Sequence, residues 1–273
     1  MEFMKTIGII AGTGELPKII AQDARERGYR VITIALENLA PAEMDGLSDE
    51  IRWINVGKLG ELISVLREFN VKEAIMAGKV PKSLIYKSKI TPDLRAIKLL
   101  FSLKDKSDDS ILNAITREIE SEGVSIIDTT TLSPHLLTPE GVLTEEPPSK
   151  DEWKDIEFGW KIAKETGRLD IGQTVVVKGQ AVMAVEAIEG TDEAIRRGGK
   201  WAGSGAVVVK TSKPQQDMRL DVPVVGLSTI KAMVDVTARV LVIEAQKSII
   251  INKGKLIKEA EESGITIVGY RKG

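Results

Sequence analysis

Met4-Lys5-Thr6-Ile7-Gly8-Ile9-Ile10-Ala11-Gly12-Thr13-Gly14-Glu15-Leu16-Pro17 is a short apolar run that breaks on two glycines and then turns amphipathic. It reads as a buried strand from Ile7 to Ala11, a turn over Gly12 to Glu15, and a helix from Leu16 to Arg27 stopped by Gly28. The apolar segment is too short for a signal peptide, so the chain is expected in the cytoplasm. The same alternation continues outward. Arg30 to Ala35 and Lys72 to Ala77 read as strands, Lys58 to Phe69, Ile90 to Leu103 and Ser107 to Glu122 as helices, and Val124 to Asp128 as a last strand. Strands separated by helices of this length call for a parallel sheet, a Rossmann-like half-molecule over residues 1–137.

Residues 138–150 are rich in proline and charge and read as a linker. From 151 to 273 a second α/β domain is expected. Its elements are a helix over Lys150 to Glu165, a hairpin around Lys178-Gly179-Gln180, strands near Ala206, Val240 and Ile265, and helices near Ser228 and Lys253.

Composition narrows the chemistry. Of 273 residues 29% are charged with a net charge of -2, so there is no basic field for nucleic acid. Cysteine is absent and His135 is the sole histidine, which excludes thiolate chemistry and a histidine-rich dinuclear site. His135, beside a proline, reads as an ordinary loop residue. A metal here would be held by oxygens, and magnesium suits one or two carboxylates with substrate phosphates and waters.

Several stretches could carry chemistry. Gly12, Thr13 and Gly14 open a helix where backbone amides can approach a phosphate. Pro17 stands where the dinucleotide fingerprint has its third glycine, which weakens a nicotinamide reading. Gly78 and Lys79 follow the third expected strand, at the end of a parallel sheet where ligands collect. Ser107-Asp108-Asp109 begins a helix, with Ser107 as a cap and two carboxylates favoured by the dipole. Glu186, Glu189 and Asp192 crowd one strand end and would repel one another without a cation. Thr191 and Asp192 also suit a helix cap. Asp221 lies between Arg219 and Pro223 ahead of an apolar run, with the cations Lys213 and Arg219 close before it. A carboxylate among cations suits a divalent metal and a phosphate ester.

Taken together, A-G-x-G-x-L-P at Ala11 to Pro17, D-D at Asp108 and Asp109, G-R-L-D-I-G-Q at Gly167 to Gln173, A-V-E-A-x-E-G-T-D at Ala184 to Asp192 and K-P-x-Q-x-x-R-x-D-x-P-x-x-G at Lys213 to Gly226 resemble the LpxI-type UDP-2,3-diacylglucosamine pyrophosphatases. The resemblance covers nearly the whole chain. It implies magnesium-dependent hydrolysis of UDP-2,3-diacylglucosamine to UMP and 2,3-diacylglucosamine 1-phosphate (lipid X) in lipid A synthesis. Asp221 would be the essential catalytic residue, with Lys213 and Arg219 balancing charge. The resemblance also implies a lipid product held between the two domains, in an interdomain cleft. Expected substrate contacts are Gly12, Thr13, Gly14, Gly78, Lys79, Gln173 and Thr191, and expected metal ligands are Asp221, Asp108, Asp109 and Glu186. Lys79 stands where some relatives have asparagine, which leaves its role open. Peripheral contact with the inner membrane surface and a homodimer are compatible with this reading. The alternatives are a noncatalytic nucleotide-sugar or lipid carrier and a Rossmann-type nucleotide-dependent oxidoreductase.

Overall fold

The computed structural model of the chain describes residues 4–81, 90–103 and 108–272, the side chains of Asp108 and Asp109 apart. The chain divides after Pro134 into two compact units, each with its own sheet.

The first unit is built on five parallel strands, β1 (Thr6–Ala11), β2 (Arg30–Leu36), β3 (Glu50–Ile54), β4 (Glu73–Ala77) and β5 (Ser125–Ile126), in the order β3-β2-β1-β4-β5. Strands buried on both faces read as continuous apolar runs, and Ile7, Ile9, Ile32, Ile34 and Ile75 are fully buried. Each such side chain contributes roughly 1.5–3 kcal/mol on leaving water. Helices α1 (Leu16–Glu26), α2 (Leu59–Glu68), α3 (Leu94–Ser102) and α4 (Asp108–Glu120) connect or follow them. Asp93 caps α3 by accepting from Ala96 N at 2.8 Å and also accepts from Gly60 N in the first turn of α2 at 2.7 Å. The Rossmann-like expectation holds. Strand β3 was not anticipated: Arg52 and Trp53 are exposed, so an edge strand gave no apolar run. Ser107, expected as a cap, lies outside the described residues.

The second unit holds a six-stranded sheet in the order β6 (Gly141–Val142), β13 (Thr266–Tyr270), β11 (Val240–Glu244), β9 (Val207–Lys210), β7 (Thr174–Lys178) and β8 (Ala181–Val185). Strands β9, β11 and β13 are parallel, whereas β7 and β8 form the expected hairpin, antiparallel to β9 through β7. Helix α5 (Lys150–Arg168) covers one face, packing Ile156, Trp160 and Ala163 on Val175, Val177, Val207, Val209 and Val242. It starts at a capping box, Ser149 with Glu152, which satisfies two donors of the first turn. Helices α6 (Thr191–Ala202), α7 (Leu227–Val234) and α8 (Lys253–Glu262) cover the other face, where Ile195, Ile230, Met233 and Leu256 meet Val176, Val208, Leu241 and Ile243.

Residues 138–150 are not a free linker. β6 (Gly141–Val142) pairs antiparallel with β13, and Thr138 is fully buried, its hydroxyl 3.1 Å from that of Ser248. A second small sheet joins β10 (Val224–Val225) to β12 (Ile249–Ile250) in parallel.

Candidate functional site

Two groups of sequence-predicted residues lie at strand ends, one in each unit. In the first unit the turn after β1 and the turn after β4 are hydrogen-bonded to each other through their backbones. Thr13 N donates to Lys79 O at 2.9 Å, Lys79 N donates to Thr13 O at 3.1 Å, and Gly12 N donates to Ala77 O at 2.8 Å. Thr13 Oγ1 adds a bond to Lys79 O at 3.1 Å. A Cβ on Gly78 (φ +88°) would stand 2.4 Å from Thr13 O. Close approach of the two turns therefore demands this glycine before any ligand is considered. The Lys79 side chain is exposed, and α1 begins without a side-chain cap: Pro17 carries no N–H, and Lys18 N and Ile19 N donate to Glu15 O at 3.1 and 3.2 Å.

In the second unit the three later motifs meet at one end of the sheet. The parallel strands β9 and β11 finish there, β7 starts there and β8 ends there, so residues far apart in sequence share an edge. The Gly167 to Gln173 motif leaves α5 and packs on the segment that starts at Lys213. Gln215 Nε2 donates to Gly167 O at 3.2 Å, and Lys213 Nζ donates to Asp170 Oδ1 at 2.5 Å. Asp170 has a left-handed backbone (φ 56°), which turns its carboxylate out of the helix line. Gly172 touches the next motif: a Cβ there would sit 2.0 Å from Glu186 O.

Glu186 follows β8. Its Oε1 accepts from Thr191 Oγ1 at 2.9 Å, and Thr191 Oγ1 accepts in turn from the buried Lys210 Nζ at 2.9 Å. Lys210 also donates to Val224 O at 3.0 Å. Thr191 therefore serves this relay. The expected helix cap is instead Gly190, with no side-chain bond. Glu189 is paired with Arg197, whose guanidinium holds its carboxyl below the usual carboxylate range. Of the crowded carboxylates Glu189 is thus relieved by a cation of the protein itself, while Glu186 accepts from the Thr191 hydroxyl and Asp192 from that of Thr229 at 3.4 Å. Four buried polar atoms at this edge, Gln173 Oε1, Thr174 Oγ1, Glu186 Oε2 and Thr211 Oγ1, have no hydrogen-bond partner. Buried polar groups are nearly always bonded, so such a cluster marks a place where water or a ligand completes the set.

Asp221 is exposed, shortly ahead of β10. Gln216 Nε2 donates to its backbone oxygen and lies 3.3 Å from Oδ2. The two cations expected around it each have a carboxylate: Lys213 has Asp170, and Arg219 chelates Asp217 at 2.7–3.2 Å. The Arg219 hydrogen bonds hold the Asp217 carboxyl below its ordinary range, against desolvation that pushes it up. Lys210, Lys164, Ser212 and Glu244 carried no motif signal. Lys210 and Glu244 show in the sequence only as a polar residue closing an otherwise apolar strand, and Lys164 is one of many charged residues on α5.

Among the described residues no group of three or more His, Cys, Asp or Glu side chains could hold a metal ion. Asp108 and Asp109 stand at the start of α4, but their side chains lie outside the described residues. Asp221 offers one exposed carboxylate, and Glu186 Oε2 is a buried oxygen without a donor. Each is a hard oxygen donor of the kind magnesium takes when substrate phosphates complete its shell. No helix among the described residues is long and apolar enough to cross a membrane.

Comparison with known proteins matches residues 6–136 to the LpxI N-terminal domain and residues 139–268 to the LpxI C-terminal domain. UDP-2,3-diacylglucosamine pyrophosphatase LpxI of Caulobacter vibrioides is 30% identical over 277 residues, covering 97% of this chain and 98% of that protein. Among solved structures, the biotin carboxylase domain of Hydrogenobacter thermophilus 2-oxoglutarate carboxylase is 16% identical with a TM-score of 0.28, over 66% of this chain and 36% of its own. N5-carboxyaminoimidazole synthetase of Staphylococcus aureus is 14% identical with a TM-score of 0.27, over 79% of this chain and 69% of its own. Both structural likenesses are too weak to bear on fold or function.

Proposed function

Because this chain belongs to the LpxI family, we propose that it hydrolyses the pyrophosphate of UDP-2,3-diacylglucosamine to UMP and 2,3-diacylglucosamine 1-phosphate, a step of lipid A synthesis, with magnesium as cofactor. The observation that carries this reading is the meeting of three family motifs at one sheet edge, with the Asp221 carboxylate exposed beside them. A pyrophosphate repels an attacking water, so the reaction needs charge balance and positioning more than a protein nucleophile. Asp221 and Glu186 would hold magnesium, which would supply neutralisation of the phosphoryl oxygens. Asp221 orients the attacking water by accepting its hydrogen bond. Lys213 and Arg219 balance the remaining negative charge, and Asp170 and Asp217 fix where those cations stand. The two acyl chains of that substrate support a cytoplasmic enzyme working in peripheral contact with the inner membrane surface. The test is UMP release from UDP-2,3-diacylglucosamine with magnesium and with EDTA. Release that EDTA abolishes supports the reading, and no release by folded protein across acyl lengths and metals contradicts it.

A further inference from the structure

The segment that ends at Asp221 is anchored at its start by a charge pair outside all the motifs. Glu244, at the end of β11, is 4% exposed and Ser212 is 1% exposed. Glu244 Oε2 accepts three hydrogen bonds: from Ser212 N at 2.8 Å, Ser212 Oγ at 2.9 Å and Lys164 Nζ at 2.6 Å. Lys164 Nζ also donates to Ser212 O at 2.9 Å. Between them, two side chains hold the backbone N–H, the backbone carbonyl and the hydroxyl of one residue. That residue immediately precedes Lys213. Lys164 lies on α5, and the same helix end holds the segment again at Lys213 through Asp170 and at Gln215 through Gly167.

A buried ion pair is a poor device for stability, because desolvation offsets most of its attraction and an apolar pair of similar volume does as well. An apolar pair could not hold both backbone groups of Ser212. We propose that Lys164 and Glu244 are positioning residues for the hydrolysis: they set the path of residues 212–221 and so place Lys213, Arg219 and Asp221, without touching substrate. This rests on the hydrolase reading above.

The experiment compares Glu244→Gln, Lys164→Met and Ser212→Ala with the natural protein in UMP release and in amide hydrogen exchange. The charge-pair variants should lose about 100-fold in kcat, the scale of a small misplacement of reacting groups, with KM changed by no more than about threefold. Exchange should quicken across 213–221 while α5 and β11 stay protected. Ser212→Ala, which removes one bond and no charge, should cost about fivefold in kcat. Unchanged kcat in folded Glu244→Gln overturns the proposal. So does loosening spread over the whole second unit, with activity falling only as the folded fraction falls. If neither charge-pair variant folds, Ser212→Ala decides, loop-confined loosening with lowered kcat supporting the clamp and natural values overturning it. If the natural protein releases no UMP, the hydrolase reading fails. The exchange measurement then judges the clamp alone: loosening confined to 213–221 supports it, and natural protection overturns it.

Discussion

The turns at the strand ends of the first unit and the sheet edge of the second were both marked by sequence motifs, yet they differ in what satisfies them. In the first unit the turns complete each other: Thr13 and Lys79 exchange backbone hydrogen bonds, and Gly78 is small because Thr13 O lies against it. In the second unit the motifs dock and still leave Thr174 Oγ1, Glu186 Oε2, Gln173 Oε1 and Thr211 Oγ1 without partners. A glycine motif can thus be explained by packing alone, whereas a cluster of unpartnered buried polar atoms cannot. The second unit is where the structure points to a ligand.

That contrast can be broken first at the glycines. Gly172→Ala drives a Cβ into Glu186 O and Gly78→Ala drives one into Thr13 O, so each should destabilise its own unit by about 3 kcal/mol. Urea unfolding followed separately in the two units checks this, and a neutral Gly78→Ala would remove the packing explanation. Lys210→Met comes next. It leaves Thr191 Oγ1 without its donor and should cost about 2 kcal/mol, with a larger loss of activity than of stability. Activity that merely follows stability would make Lys210 a core residue.

The smallest effect is in pH. The Asp217 carboxyl is lower in the folded protein than in the unfolded chain, so the Arg219 contact contributes fully above the unfolded value of about 3.9 and is lost as pH falls through the lower folded value. Carboxyl NMR should show Asp217 titrating below ordinary aspartate, and returning upward in Arg219→Met. An ordinary titration in the natural protein would sever that pair from the account.

Much of the fold was legible because buried parallel strands are apolar runs ended by turn residues, as at Ile7 to Ala11 and Val240 to Ile243. What escaped was short or half-exposed. β6 has two exposed residues in a stretch full of proline and charge, and its pairing with β13 is a contact across the unit that no local pattern encodes. In the site, Asp170, Glu186, Thr191 and Lys213 were legible as motif members, but their partners were assigned differently from expectation. Lys213 and Arg219 both precede Asp221 closely in sequence and pair with Asp170 and Asp217 in space. Lys164, Lys210 and Glu244 were not legible at all, since a lone polar residue at a strand end or on a helix acquires meaning only from neighbours brought by the fold.

In the proposed reaction the polar edge of the second unit performs hydrolysis through Asp221. Asp221→Ala, assayed for UMP release at saturating magnesium alongside direct binding of UDP-2,3-diacylglucosamine, tests it most directly. Turnover should fall by about a thousandfold with binding retained. Turnover that persists in Asp221→Ala would contradict it.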